Sequence, residues 1–271
     1  VMPDTLNVPA ALEGIGNPGR FWEQVCGVAM VGQDGIADPF AAFSAIPAAS
    51  GTIRDMTHIR FEVPDFVPAQ CTGCSQCWTQ CPDSAIPGLV SSVEDVLTGA
   101  FTIAARRGTP CDKLRSLARS IAREARKTLD AVPFRTFGEV LASAYASVSG
   151  RLDWDAERRA ALDREFASVH SLVAEFPLAR TTPFWDLPER AETGSGGLLS
   201  ITINPEACKG SNICVDVCPE AALVTVKQDE EIVERLRRNW ELWKELPDTP
   251  DRFVNISDLD EGIGVLPSLL L

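Results

Sequence analysis

The sequence predicts an α+β fold in which a small core is split along the chain by a large all-helical insertion. Three observations predict it. The order strand, cysteine group, helix occurs twice, around residues 71–81 and again around 208–218. Helix signals recur through residues 91–190, which separate the two occurrences. A glycine-rich stretch at 192–197 then leads back to a second strand.

Taken in order, residues 1–57 are rich in Gly, Pro and Ala and read as a linker with one helical segment, coming from a preceding domain. Asn17 and Pro18 supply a cap and a first-turn proline, and Phe21, Val25 and Val28 share a face. The alternation over residues 58–63 predicts a strand entering the first cysteine group. Residues 58–90 and 198–228 form the two halves of the split core. Within 91–190, Ser92 with Asp95 opens a helix closing near Gly108. A second helix is capped from Thr109 and carries Leu114, Leu117, Ile121, Ala125 and Leu129. Thr136 with Glu139 starts a third, ending at Gly150. Asp153 opens a fourth, with Leu162, Phe166, Val169 and Val173 on one stripe and Pro177 as its stop. Four amphipathic helices on short connections predict a small bundle. Beyond the linker, residues 199–203 and 224–226 read as strands. Residues 229–271 give a last helix, with Ile232, Leu236, Trp240 and Trp243 along it, and a tail.

The chain has 271 residues and a net charge of −13, from 25 basic and 38 acidic side chains. That excludes nucleic acid as the main partner, since phosphate binding needs a basic surface. No apolar run approaches the roughly 20 residues that span a bilayer, so no membrane partner is expected. The N-terminus lacks a basic flank and an apolar stretch, which predicts a cytoplasmic location. Residues 101–180 hold 14 basic and 10 acidic side chains, a local +4 that leaves −17 for the rest. This basic region reads as a solvated helix face or as a docking patch for an acidic electron carrier. The first residue is Val1 and the last three are leucines. These ends predict a piece of a longer polypeptide or of a tight assembly.

Nine cysteines are present, and seven fall in two tight groups. Grouped cysteines in a cytosolic chain point to metal rather than to disulfides. The first group is Cys71-x2-Cys74-x2-Cys77-x3-Cys81-Pro82, the cluster-binding run of bacterial ferredoxins. Zinc favours two separated pairs of ligands, which this run does not offer. The second group, Cys208-x5-Cys214-x3-Cys218-Pro219, matches the same template except that Ser211 stands in place of the second cysteine. In such runs the last cysteine serves the other cluster. Cys71, Cys74, Cys77 and Cys218 are therefore expected to hold one [4Fe-4S] cluster. Cys81, Cys208 and Cys214 supply three thiolates for a second cluster, either [3Fe-4S] or [4Fe-4S]. In the latter case Ser211, water, or a distant thiol such as Cys26 or Cys111 completes the site. The core is thus expected to be of the bacterial two-cluster ferredoxin kind. Cys26 and Cys111 otherwise read as buried, unligated thiols.

Other signals are weaker. Gly14-x-Gly16-x-x-Gly19 matches a dinucleotide fingerprint but follows no apolar strand. The Gly32–Gly35 stretch lacks the downstream asparagines of a thiamine diphosphate site. His58 and His170 are isolated and read as structural. No catalytic acid–base pair or nucleophile stands out.

Residues 51–54, the run 63–68 and the first cysteine group through Ile86 resemble the ferredoxin-like domain of pyruvate (2-oxoacid):ferredoxin oxidoreductases. The 17–22 segment, Trp240 and the 246–247 pair are similar to its flanks. The resemblance implies an iron–sulfur relay within an enzyme that oxidatively decarboxylates a 2-oxo acid with thiamine diphosphate and passes electrons to ferredoxin. It places the thiamine- and substrate-binding domains or subunits elsewhere in an oligomeric assembly. The alternative is an independent ferredoxin-like carrier subunit of another redox complex.

Overall fold

The fold is given by a computed structural model that describes residues 55–131 and 136–254, and before them Phe21, residues 25–32, Ala42 and Ser44. Of the helix expected after Pro18, only Phe21 and residues 25–30 fall among the described residues, all of them helical; the glycine fingerprint at 14–19 and the terminal leucines lie wholly outside them. Along the chain run β1 (Glu62–Phe66), α1 (Gln76–Gln80), β2 (Gly88–Ser91), α2 (Val93–Arg106) and α3 (Asp112–Ala131). Next come α4 (Phe137–Ser149), α5 (Ala156–Val173), β3 (Leu178–Ala179) and α6 (Leu187–Ala191). Last are β4 (Leu198–Ile201), α7 (Ile213–Asp216), β5 (Leu223–Lys227), α8 (Glu230–Trp243) and α9 (Asp251–Val254). The chain is mixed helix and sheet. No helix among the described residues is long and apolar enough to cross a membrane.

The sheets join the two halves of the core. β1 pairs antiparallel with β5, setting Val63 against Val226, and β2 pairs antiparallel with β4, setting Val90 against Leu199. Each half thus lends one strand to each sheet. The halves are structural repeats at an offset of 137 (208 − 71). Left-handed backbone recurs at Gly73 and Gly210, at Ser75 and Asn212, and at Ser84 and Ala221. The hydrogen bond from Val67 N–H to the Ala222 carbonyl, 2.8 Å, is matched by one from Asn204 N–H to the Ala85 carbonyl, also 2.8 Å.

β1 begins four residues later than the alternation at 58–63 predicts. Asp55 accepts from the Thr57 N–H and winds Met56–His58 into a 3-10 turn. Arg60 is then drawn inward to the carbonyls of Pro205 and Cys208, leaving Phe61 84% exposed. Pro64 is tolerated because β1 is an edge strand that pairs with β5 alone.

The insertion is not wholly helical, since β3 adds a third strand beside β4. Its four long helices share one apolar core containing Phe101, Leu114, Ile121, Leu141, Leu162 and Val169. α2 carries the capping box of Ser92 and Asp95, each bonding the other's backbone. Thr136 caps α4, but α5 is capped by Asp155, not Asp153. α3 differs most from expectation. Cys111 turns left-handed (φ 58°) just before it. The Leu114 N–H is instead satisfied by the Glu165 carboxylate of α5, at 2.8 Å. A tertiary partner therefore replaces the local cap. Glu165→Ala should cost about 1–3 kcal/mol, the cost of orphaning a buried donor, read as a lowered urea midpoint. At Gly138 of α4 a Cβ would meet the Ala174 Cα at 2.7 Å, so only glycine permits this approach of α4 to the end of α5.

α8 fastens the insertion to the core. Its Leu236 packs in the sheet core and its Leu242 in the helical core. Arg106 meets Glu245 at 2.7 Å and Arg107 meets Glu241 at 2.5 Å. The basic excess of the insertion includes Arg115, Arg119 and Arg123, solvent-facing positions of α3.

Candidate metal centres

Two loops of the same build carry the cysteines. In each, left-handed residues alternate with ordinary ones, a geometry that turns successive amides inward. Glycine is required at the first such position. A Cβ on Gly73 would meet Pro183 Cγ at 3.0 Å, and one on Gly210 would meet the Glu62 carbonyl oxygen at 2.6 Å. Each loop then enters a short helix, α1 or α7.

The structure brings Cys71, Cys74, Cys77 and Cys218 together around one cavity, walled by Phe66, Trp78 and Leu223. It brings Cys81, Cys208, Cys214 and Ser211 around a second, walled by Pro64, Ile86 and Ile203. The two are of nearly equal size, about 340 Å³ and 330 Å³ of atom-free space with their mouths included. Each draws residues from both halves of the core. Cys26 and Cys111 line neither. Cys111 is fully buried among the insertion helices, its thiol donating to the Thr109 carbonyl at 3.2 Å. His170 bonds the Gly138 carbonyl, and His58 stands 84% exposed beside Asp55.

Backbone N–H groups point at the sulfurs in matching pairs. Ala85 donates to Cys81 Sγ at 3.4 Å and Ala222 to Cys218 Sγ at 3.2 Å. The amides of Gly73 and Gly210 do the same for Cys71 and Cys208. Such donors favour the thiolate. Burial acts against them and wins, pushing the free Cys71 and Cys214 thiols up to about 12. It raises Cys77 and Cys208 as well. A metal taken up here must displace those protons.

Charge around the cavities is unequal. Asp83 and Glu220 hold equivalent positions, two residues after Cys81 and Cys218, and each lines a cavity. Asp83 is paired with Lys209 at 2.6 Å. No ion pair to Glu220 is formed among the described residues. Behind the Cys208 loop lies Arg60, only 7% exposed. Sequence reasoning passed over Arg60, because nothing local marks a residue that is buried by carbonyls 145 and 148 positions away. The acid pair was legible from the repeat.

Among the described residues, no three of His, Cys, Asp or Glu converge as ligands of one ion would.

No family model and no solved structure matches the chain. A stretch of 59 residues is 34% identical to the pyruvate-flavodoxin oxidoreductase of Rhodospirillum rubrum, covering 20% of this chain and 5% of that protein. Over that stretch the chain is similar to a redox enzyme.

Proposed function

We propose that this chain is the iron–sulfur relay of a 2-oxoacid oxidoreductase, with a bacterial-ferredoxin-like core holding two clusters. The observation that carries the reading is the division of seven cysteines into a set of four and a set of three around two matched cavities. Cys71, Cys74, Cys77 and Cys218 would hold a [4Fe-4S] cluster. Cys81, Cys208 and Cys214 would hold a [3Fe-4S] cluster, or a [4Fe-4S] cluster with Ser211 at the fourth corner. When bound, such clusters accept and release single electrons. The chain's own residues supply thiolates, aim amide N–H groups at them, and wall each site with apolar side chains such as Trp78 and Ile203 that limit water.

The similarity to pyruvate-flavodoxin oxidoreductase supports the choice of enzyme class. In this reading thiamine diphosphate and the 2-oxo acid, pyruvate or a relative, bind on other domains or subunits of the assembly, and ferredoxin or a similar carrier takes the electrons. A second reading, an independent carrier subunit of another redox complex, is favoured by the small share of that enzyme, 5%, that the match covers. The test is anaerobic mixing of the dithionite-reduced, intact assembly with oxidised ferredoxin or flavodoxin. Reoxidation of the clusters, with thiamine diphosphate co-purifying, is the expected result. Reoxidation without thiamine diphosphate selects the carrier reading, and no transfer to either acceptor overturns both.

A further inference from the structure

We infer that the two centres stand at unequal potentials, the second more positive than the first, and that Arg60 is the residue that sets them apart. The inference rests on the two-cluster reading above and concerns only what this chain's side chains do to each site.

The repeat makes the comparison internal. Gly73 and Gly210 occupy the same place in the two loops, and what lies behind each is different. Behind Gly73 are Pro183, Thr181 and Phe184, a neutral and largely apolar backing. Behind Gly210 are the Glu62 carbonyl and the stem of Arg60, with Arg60 Cβ at 3.2 Å and Cδ at 3.5 Å from a Cβ placed there. The position equivalent to Arg60 in the other half is Gly197 (60 + 137), which has no side chain. One loop is therefore backed by a buried cation and the other is not.

The guanidinium is held firmly. Its Nη1 donates to the Pro205 carbonyl at 2.5 Å and to the Cys208 carbonyl, while Nε and Nη2 are buried with no acceptor. An arginine buried to 7% exposure with two orphan donors is costly unless an anion lies near enough to compensate. Glu206 is such an anion, but it is bonded to Arg237 at 2.9 Å. Arg60 stays charged at any ordinary pH.

The acids reinforce the difference. Asp83 at the second cavity is neutralised by Lys209 at 2.6 Å. Glu220, its counterpart at the first cavity, has the neutral Thr72 where the repeat places Lys209 (209 − 137). The first site thus carries four thiolates and a carboxylate with no ion pair among the described residues; the second carries three thiolates, a neutralised carboxylate and a buried cation. Adding an electron makes a site more negative. The surroundings of the second site favour that addition and those of the first oppose it, so electrons entering the chain settle on the second.

The experiment is a reductive titration of anaerobically prepared chain, followed by electron paramagnetic resonance so that the two centres are read separately. The variants are Arg60→Met, Arg60→Lys and Glu220→Gln. In Arg60→Met the more positive couple should move negative by at least tenfold in its reduced-to-oxidised ratio at fixed potential, which is 59 mV for one electron. The less positive couple should stay in place. Arg60→Lys should recover most of the shift, and Glu220→Gln should move only the less positive couple, to more positive values. Should Arg60→Met fail to fold, Arg60→Gln, which removes the charge but keeps an amide donor for the Pro205 and Cys208 carbonyls, carries the same test. Wild-type couples that coincide, or a more positive couple that removal of the Arg60 charge leaves in place, overturn the inference while leaving the two-cluster reading intact. A chain that binds no iron overturns both.

Discussion

A Cys218→Ser chain is expected to lose the cluster proposed at Cys71, Cys74 and Cys77, up to 147 positions away (218 − 71), and to keep the one proposed nearer Cys218 in sequence. Cys218 lies in the second cysteine group, yet it lines the first cavity. Cys81 lies in the first group and lines the second cavity. Serine retains the shape but offers a hard oxygen that must be deprotonated to replace a soft thiolate. The expected loss is roughly half of the iron, confined to the four-thiolate site. Cys81→Ser should do the converse and remove the second centre. Loss of the second centre in Cys218→Ser, with the first retained, would show that each group serves only its own cluster. The controls are Cys26→Ser and Cys111→Ala, since neither cysteine lines either of these two cavities.

The second large effect is expected at Ser211. It occupies the place of Cys74 in the repeat (211 − 137) and lines the second cavity at its exposed rim. With three thiolates from protein, that centre should shed its fourth iron, and the oxidised wild type should show a three-iron paramagnetic signal. Ser211→Cys adds the missing thiolate on backbone already shaped for it, since left-handed Asn212 follows Ser211 as left-handed Ser75 follows Cys74. The variant should bind about one more iron per chain and lose the three-iron signal. Two four-iron signals in the wild type, unaltered in Ser211→Cys, would make serine a competent ligand and remove this distinction between the sites.

How much of this was legible in the sequence depends on the range of the interaction involved. The α2 capping box and the Asp229 cap of α8 are local, and both stand where Ser92, Asp95 and Asp229 imply. The start of α3 departs from the expectation because the Leu114 N–H is satisfied by Glu165, 51 positions away. β2 went unrecognised because all four of its residues are buried, so no alternation marks it. β1 was placed too early because Arg60 interrupts the pattern from outside, through the 205–208 loop. At the site, the cysteine spacing is a local property, and the division into four and three proposed above was written down from it. The exchange of strands between halves, the repeated left-handed residues and the buried arginine depend on chain segments far apart, and only the folded structure exposes them.

The most direct test of the central claim is a count of iron and acid-labile sulfide on the anaerobically purified chain. The expected result is about seven to eight irons with matching sulfide in two clusters, and almost no zinc. One or two metal ions per chain without sulfide, or zinc in place of iron, would contradict it.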